Sequence, residues 1–134
     1  MGVFAFPFNE ERVRNEGASS FEEFRDWVLE YGDNFLHNLT VGRKGDVLVF
    51  GWKLEPGEWM LVGDCIVKDN HQTGKADWCD CSNESGYSRH MVTGGVRLFP
   101  TSVSSKKLNI KLGNFAPFTA DEYLELISET VARW

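Results

Sequence analysis

Two thiols and two imidazoles lie close together in the middle of the sequence. Cys79 and Cys81 belong to the stretch "DWCDCSN", with His71 before them and His90 after them. Thiolate and imidazole together form a zinc ligand set. The C-x-C spacing lacks the two to four intervening residues of common zinc motifs, which favours unligated thiols in an exposed loop. We therefore predict no metal site, with zinc as the alternative reading.

Enzyme motifs are missing from the sequence. It has no G-x-S-x-G, no glycine loop ending in Lys and Ser or Thr, and no H-E-x-x-H. A nucleophilic pairing of Cys79 with His90 stays open, although no neighbouring residue visibly activates the thiol. We expect a binding domain without catalytic activity and without a cofactor.

Positive charge is concentrated in the second half of the chain. The net charge is −6, yet the segment from Ser85 to Ala120 contains no Asp or Glu and carries +5, which leaves −11 for the rest. Such asymmetry predicts a basic surface that meets a polyanion, and the alternative is a set of solvated charges. The cationic candidates are Arg89, Arg97, Lys106, Lys107 and Lys111.

Aromatic residues supply the second group of candidates. Trp78 and Tyr87 occupy a polar stretch between Asn70 and His90, and loops of this length in a compact domain are usually functional or disordered. Trp52 follows Gly51 near the end of an apolar run, where we expect its side chain to face a pocket. The alternative for Trp52 is core packing, the usual fate of a large aromatic residue.

The first half of the chain predicts a strand, a helix and a hairpin. Alternation over residues 3–8 indicates a strand, and the stretch "SSFEEFRDWVLEYG" has a capping box and helical spacing. The stretches 47–54 and 59–67 are apolar at nearly every position around the turn-forming "EPGE". Both faces of this hairpin should therefore be covered. Gly51 and Gly63 within these strands indicate bulges or a bent sheet.

The second half of the chain predicts two more strands and a terminal helix. "MVTGGVRLFPTSV" and "LNIKL" have the composition of strands. Thr119 and Glu122 form a second capping box before a run with helical spacing. The resulting order of elements is mixed α and β.

Length and composition predict one domain that spans residues 1–134. A 134-residue chain with 42% hydrophobic residues suits a single core. No apolar run reaches the roughly 20 residues that cross a bilayer, and the start lacks a basic leader. Three cysteines, with Cys65 in an apolar run, argue against a secreted disulfide framework. We expect a soluble cytoplasmic protein.

Three motifs and their order resemble the PUA-like superfamily, in particular its EVE and YTH branches. The motifs are "KGDVLVF" at 44–50, "LVGDCIV" at 61–67 and "VRLFPTSVSSKKLNI" at 96–110, and the resemblance covers most of the chain. It implies a small curved β-barrel of five to six strands flanked by two or three helices.

The same resemblance implies recognition of a modified, flipped-out base in an aromatic pocket. Trp78 and Tyr87 then lie in the loop that supplies part of the cage in the YTH branch, although the loop has no second tryptophan. The implied partner is nucleic acid, DNA rather than RNA. The resemblance also implies that the domain is the targeting module of a modification-dependent restriction enzyme. The motor and the nuclease of such an enzyme lie in other domains. The alternatives are a PUA-like small-molecule or protein-binding domain and an ASCH-like hydrolase.

Overall fold

The structure is a computed structural model that describes residues 2–8, 21–31, 34–37, 42–55, 58–78, 81–82, 86–110 and 116–131. Within these residues the chain forms six strands and two helices. Their order is β1 (Val3–Phe8), α1 (Phe21–Tyr31), β2 (Asn34–His37), β3 (Val47–Glu55), β4 (Glu58–Gln72), β5 (Arg89–Ser104), β6 (Pro117–Phe118) and α2 (Ala120–Val131).

All six strands belong to one mixed sheet with the order β2-β5-β4-β3-β1-β6. β1 pairs with β3 in parallel, and the other neighbours are antiparallel. Among the described residues no pairing joins the outer strands β2 and β6, which have only four and two residues. The predicted α+β class is confirmed, but the predicted barrel closure is wrong, because strands this short end the sheet on both sides.

Both faces of the central hairpin are covered, as its continuous apolar runs predict. Along β3, Leu48 and Phe50 point into a cluster that contains Phe24 of α1. The alternate residues Val47 and Val49 point into a second cluster, which contains Leu126 of α2. The sheet therefore separates two hydrophobic cores, because successive side chains of a strand point to opposite faces.

The predicted irregularities at the strand glycines are confirmed. The β3–β4 register shifts between Phe50 and Gly51, and the β4–β5 register shifts between Leu61 and Gly63. A Cβ added at Gly63 would lie 2.3 Å from the backbone oxygen of Arg97. Glycine is required at position 63 because the neighbouring strand approaches so closely.

The hairpin formed by β4 and β5 is longer than its sequence predicts. β4 extends through the polar residues 70–72 and β5 begins at Arg89, so the connecting segment covers residues 73–88. The predicted strand "LNIKL" is wrong in its first part, because residues 105–109 form a turn. Its last two residues, including Lys111, lie outside the described residues.

The two helices agree with their predicted positions. The amide of Thr119 donates to Glu122 Oε1 at 2.8 Å, and the amide of Glu122 donates to Thr119 Oγ1 at 3.1 Å, which is the predicted capping box. The predicted cap of α1 at Ser20 lies outside the described residues. Neither described helix has the length and apolar character needed to span a membrane.

Candidate functional site

The polar ends of β4 and β5 bring two histidines together. His71 pairs directly with His90 across the two strands, and their ring centroids are 5.2 Å apart. Met91 belongs to the core cluster on the α1 side of the sheet. Because side chains alternate along a strand, both imidazoles lie on the opposite face.

A cysteine completes this arrangement. Cys81 Sγ lies 3.5 Å from His71 Nε2 and accepts a hydrogen bond from the amide of Gly74 at 3.4 Å. One ligand atom each from His71, Cys81 and His90 lies within 4.8 Å of the others. Cys81 is disulfide-bonded in the structure, and Cys79 lies outside the described residues. We call His71, Cys81 and His90 the hairpin-end cluster.

Electrostatics within the hairpin-end cluster favour neutral imidazole at His90. Burial lowers the pKa of His90, the nearby His71 lowers it further, and Asp69 acts in the opposite direction. On the far side of the other ring, His71 Nδ1 lies 3.4 Å from Asp69 Oδ2. Asp69 and His71 are two residues apart in β4, so the alternation of the strand places them on one face.

Trp78 and Tyr87 lie in the segment that covers the cluster. Trp78 is 65% exposed, and its ring forms a T-shaped contact with the His71 ring, with centroids 5.1 Å apart and an interplanar angle of 67°. Tyr87 is 39% exposed, and its backbone oxygen accepts a hydrogen bond from Thr73 Oγ1. The structure thus places both predicted aromatic residues at the surface of the hairpin end.

Arg89 is the predicted cation at the same end of β5 as this cluster. It directly precedes His90, so the alternation of the strand places its side chain on the opposite face of the sheet from the two imidazoles. Its Nε donates to Asn70 Oδ1 at 2.7 Å, and its Nη2 donates to the backbone oxygen of Asn70 at 2.9 Å. The Asn70 side chain in turn donates to the backbone oxygen of Gly42. These hydrogen bonds fix the guanidinium without neutralising its charge, because Asn70 is uncharged.

A second polar site surrounds Asp64, which is only 5% exposed. Arg97 donates to both carboxylate oxygens, from Nε at 3.0 Å and from Nη2 at 2.7 Å. The Tyr123 hydroxyl of α2 donates to Asp64 Oδ2 at 2.6 Å. The hydrogen bond to Asp64 is the main cause of a raised pKa of Arg97, whereas burial is the main cause of a raised pKa of Tyr123, followed by the hydrogen bond to Asp64.

This second site borders a pocket of about 320 Å³. Gly95 lines it in a left-handed conformation with φ 62°, next to a register shift of the β4–β5 pair. The pocket is lined by Val47, Asp64, Cys65, Ile66, Gly95, Arg97 and Tyr123. Sequence reasoning missed the roles of Asp64 and Tyr123. The available signal was the carboxylate inside the apolar run "LVGDCIV", since a buried charge requires partners.

The remaining predicted site residues lie away from the hairpin end. Lys106 forms an ion pair with Glu58 at 3.1 Å and Lys107 with Glu129 at 2.9 Å, both beyond the other end of β5. Trp52 is 8% exposed and packs edge-on against Phe24 with centroids 4.9 Å apart. The structure does not bring these residues together with Trp78.

Comparisons with known proteins bear on the fold alone. No protein-family model matches the sequence, and no curated protein matches it significantly. A solved structure, the NMR structure of Rpa0253 from Rhodopseudomonas palustris, is similar with a TM-score of 0.58 and 11% identity. The similarity covers 99% of this chain and 94% of that one. The architecture is therefore shared along nearly the whole chain.

Proposed function

We propose that the domain binds nucleic acid and holds a modified, flipped-out base against Trp78, without catalysing a reaction. The observation that carries the proposal is the position of Trp78, which is 65% exposed while its ring packs against His71 in a T-shaped contact. An indole fixed in this way offers a flat apolar surface to a ligand. Stacking a base on such a ring contributes about 1 to 3 kcal/mol.

Charge at the hairpin end supports a short contact rather than a long phosphate track. Arg89 supplies a cation at the hairpin end that hydrogen-bonds to the uncharged Asn70, and Lys75 lies in the connecting segment. Asp69 and Asp77 lie in the same part of the hairpin and repel phosphate. We therefore assign most of the affinity to the stacked base and a small part to one or two phosphate contacts.

The relationship to PUA-like domains is part of the same proposal. The motif order along the chain supports it, and the described sheet differs from that family's barrel in being open. In this proposal the domain is the targeting module of a modification-dependent restriction system, and DNA is favoured over RNA as the partner. Motor and nuclease functions belong to other domains.

The test is a titration of matched single-stranded and duplex oligonucleotides that carry methylated cytosine, methylated adenine or neither. Trp78→Ala should weaken binding to the modified strand by about 1 to 3 kcal/mol, the stacking contribution. Weak binding to unmodified strands should survive, because phosphate contacts carry no base information. Fluorescence anisotropy of labelled oligonucleotides measures both quantities.

Two further variants control this experiment. Trp78→Phe keeps an aromatic ring and should retain most of the selectivity. Leu124→Ala removes an exposed apolar side chain from α2, where Leu124 is 62% exposed, and should bind like the parent protein. Equal affinity of parent and Trp78→Ala for every modified strand would refute the proposal.

The second candidate function is binding of a small molecule in the pocket beside Asp64. Its volume of about 320 Å³ lies at the lower end of the range for ligand pockets. Arg97 lines it with a side chain that is 55% exposed. Perturbation of Arg97 and Tyr123 resonances by small metabolites, without an effect of oligonucleotides, would favour this candidate over the first.

A further inference from the structure

We propose that the reduced protein binds Zn²⁺ through His71 Nε2, Cys81 Sγ and an imidazole nitrogen of His90. This site goes beyond nucleic-acid binding and stands whether or not the domain binds a base. A set of two nitrogens and one thiolate suits zinc, whereas magnesium and calcium prefer oxygen ligands.

The distances between the donor atoms agree with a tetrahedral zinc centre. Zinc ligands at about 2.0 to 2.3 Å from the metal lie about 3.3 to 3.8 Å from one another. His71 Nε2 and Cys81 Sγ are already 3.5 Å apart. All three donors lie within 4.8 Å of one another, so a shift of about 1 Å closes the set around a metal ion of that radius.

The backbone positions these donors without help from the metal. His71 and His90 are held by the β4–β5 register, and Cys81 is held on the connecting segment by the amide of Gly74. The His71 side chain is 14% exposed, and His90 is 9% exposed. Ordering the site therefore costs little conformational entropy, since the strands already fix two of the three ligands.

Asp69 has the position of an outer-shell partner. Histidines that bind metals usually donate their other ring N–H to a carboxylate or a carbonyl oxygen. Here Asp69 Oδ2 lies 3.4 Å from His71 Nδ1, which is buried. A proton on Nδ1 leaves the Nε2 lone pair free to face Cys81 and the metal. The position of Asp69 beside Nδ1 is an observation independent of the clustering of the donors.

The redox state of Cys81 decides whether the site exists. Cys81 is disulfide-bonded in the structure, and a disulfide sulfur is not a thiolate ligand. A dithiol reductant transfers two electrons and two protons to the disulfide, yields two thiols and becomes a disulfide itself. Zn²⁺ then displaces the Cys81 thiol proton to solvent and forms the zinc–sulfur bond. Three protein ligands leave the fourth position for water.

The test uses Co²⁺ as a spectroscopic probe and Zn²⁺ as its competitor, with the whole protein reduced by a dithiol that is removed before titration. The parent protein should develop thiolate-to-cobalt absorption and tetrahedral cobalt bands, and Zn²⁺ should abolish both. Cys81→Ser should lack the thiolate band. His71→Ala should bind at least tenfold more weakly, because even outer-shell changes typically cost about 10- to 100-fold in metal affinity.

Two controls make the result decisive. Cys65→Ala removes a buried thiol that is not disulfide-bonded and lies outside the cluster, and it should keep the full spectrum. Asp69→Asn should keep the thiolate band with weaker affinity. Far-ultraviolet circular dichroism checks that each variant is folded. If His71→Ala is unfolded, the absence or presence of the thiolate band in Cys81→Ser tests the proposal instead. A reduced parent protein without cobalt bands, or a Cys81→Ser variant that retains the thiolate band, overturns the proposal. Because no oligonucleotide is present, either result leaves the test of Trp78 unaffected.

Discussion

At the scale of single residues, Asp64 shows how a buried charge constrains its surroundings. This carboxylate accepts hydrogen bonds from Arg97 of β5 and from Tyr123 of α2, so one side chain joins two strands and a helix. Losing one partner leaves part of the charge unpaired in a partly dry environment. Such a loss is costly because a buried ion has already given up its water.

We expect Tyr123→Phe to lower the free energy of unfolding at pH 7 by about 1.5 to 3 kcal/mol, the range for hydrogen bonds to charged groups. Urea denaturation measures the difference. Tyr87→Phe is the matched control, because Tyr87 is 39% exposed and such surface changes usually stay within about 0.5 kcal/mol. Equal stability of parent and Tyr123→Phe would show that Arg97 alone satisfies Asp64.

The same variant should alter the alkaline part of the stability profile. Burial and the hydrogen bond to Asp64 raise the pKa of Tyr123 above the value of about 10 for an unfolded tyrosine. A raised pKa means that the contribution of Tyr123 is complete below about pH 10 and is lost as the pH rises through the folded-state value. The stability difference between parent and Tyr123→Phe should therefore shrink above pH 10. A difference that grows in this range would contradict the assignment.

The sequence shows which residues could form the hairpin-end cluster, but it does not show that they lie close together. The sequence identifies His71, Cys81 and His90 as zinc-compatible side chains, and the C-x-C spacing argues against a motif. Their proximity depends on the β4–β5 register, which joins positions nineteen residues apart along the chain. A rule based on spacing along the chain cannot detect a pairing between residues on two different strands. Asp69 lies only two residues from His71, but it gains a role only if His71 is a ligand, and that depends on the cross-strand pairing.

At the scale of elements, sequence patterns within one helix predict that helix well. Strands that depend on pairing with another strand are predicted poorly. The Thr119 capping box and the spacing in α2 involve neighbours within one helical turn, and both agree with the structure. β2 was not predicted, because its four residues are stabilised by pairing with β5 rather than by their own pattern. The polar end of β4 escaped prediction as well, since its alternation contains no apolar signal.

The close approach of β5 to Gly63 of β4 gives a prediction at this scale. Gly63→Ala would place a methyl group 2.3 Å from the backbone oxygen of Arg97, which cannot rotate away. We expect a loss of about 1 to 3 kcal/mol in stability, the usual cost of overpacking, because the two strands must separate. Thermal and urea denaturation measure it.

Gly95 provides the matched comparison for Gly63. A Cβ at Gly95 meets no atom within 4 Å, but the residue has φ 62°. Gly95→Ala should therefore cost only the left-handed strain of about 1 to 2 kcal/mol, and Gly95→Asn should cost less because Asn tolerates that conformation. A Gly63→Ala variant as stable as the parent would show that the strands part easily at the bulge.

At the scale of the whole molecule, the sheet organises both the cores and the surface. Its two faces carry separate hydrophobic clusters, so the candidate site residues lie at the strand ends, at the bulge and in the connecting segments. Continuous apolar runs in β3 and β4 predicted this division. The open edges were not predicted, because closure depends on the lengths of β2 and β6, which are set by their partners.

The distribution of cations over the whole molecule leads to the last prediction. β5 runs from Arg89 to Ser104 and is up to roughly 50 Å long at about 3.3 Å per residue. Lys106 and Lys107 follow beyond the end of β5 that lies far from Arg89. Both lysines also form ion pairs with Glu58 and Glu129. A short strand held at Trp78 therefore does not reach them, although their sequence clustering predicts one basic face.

We expect Lys106→Ala combined with Lys107→Ala to leave both the affinity for a short oligonucleotide and its salt dependence unchanged. Arg89→Gln should instead reduce the slope of log affinity against log salt by about 0.7 to 0.9, the contribution of one phosphate contact. Anisotropy titrations over a range of salt concentrations give all three slopes. A slope reduced by about 1.4 to 1.8 in the double lysine variant would mean two lost phosphate contacts. The nucleic acid would then follow β5 to its far end, and the binding surface would extend well beyond the hairpin.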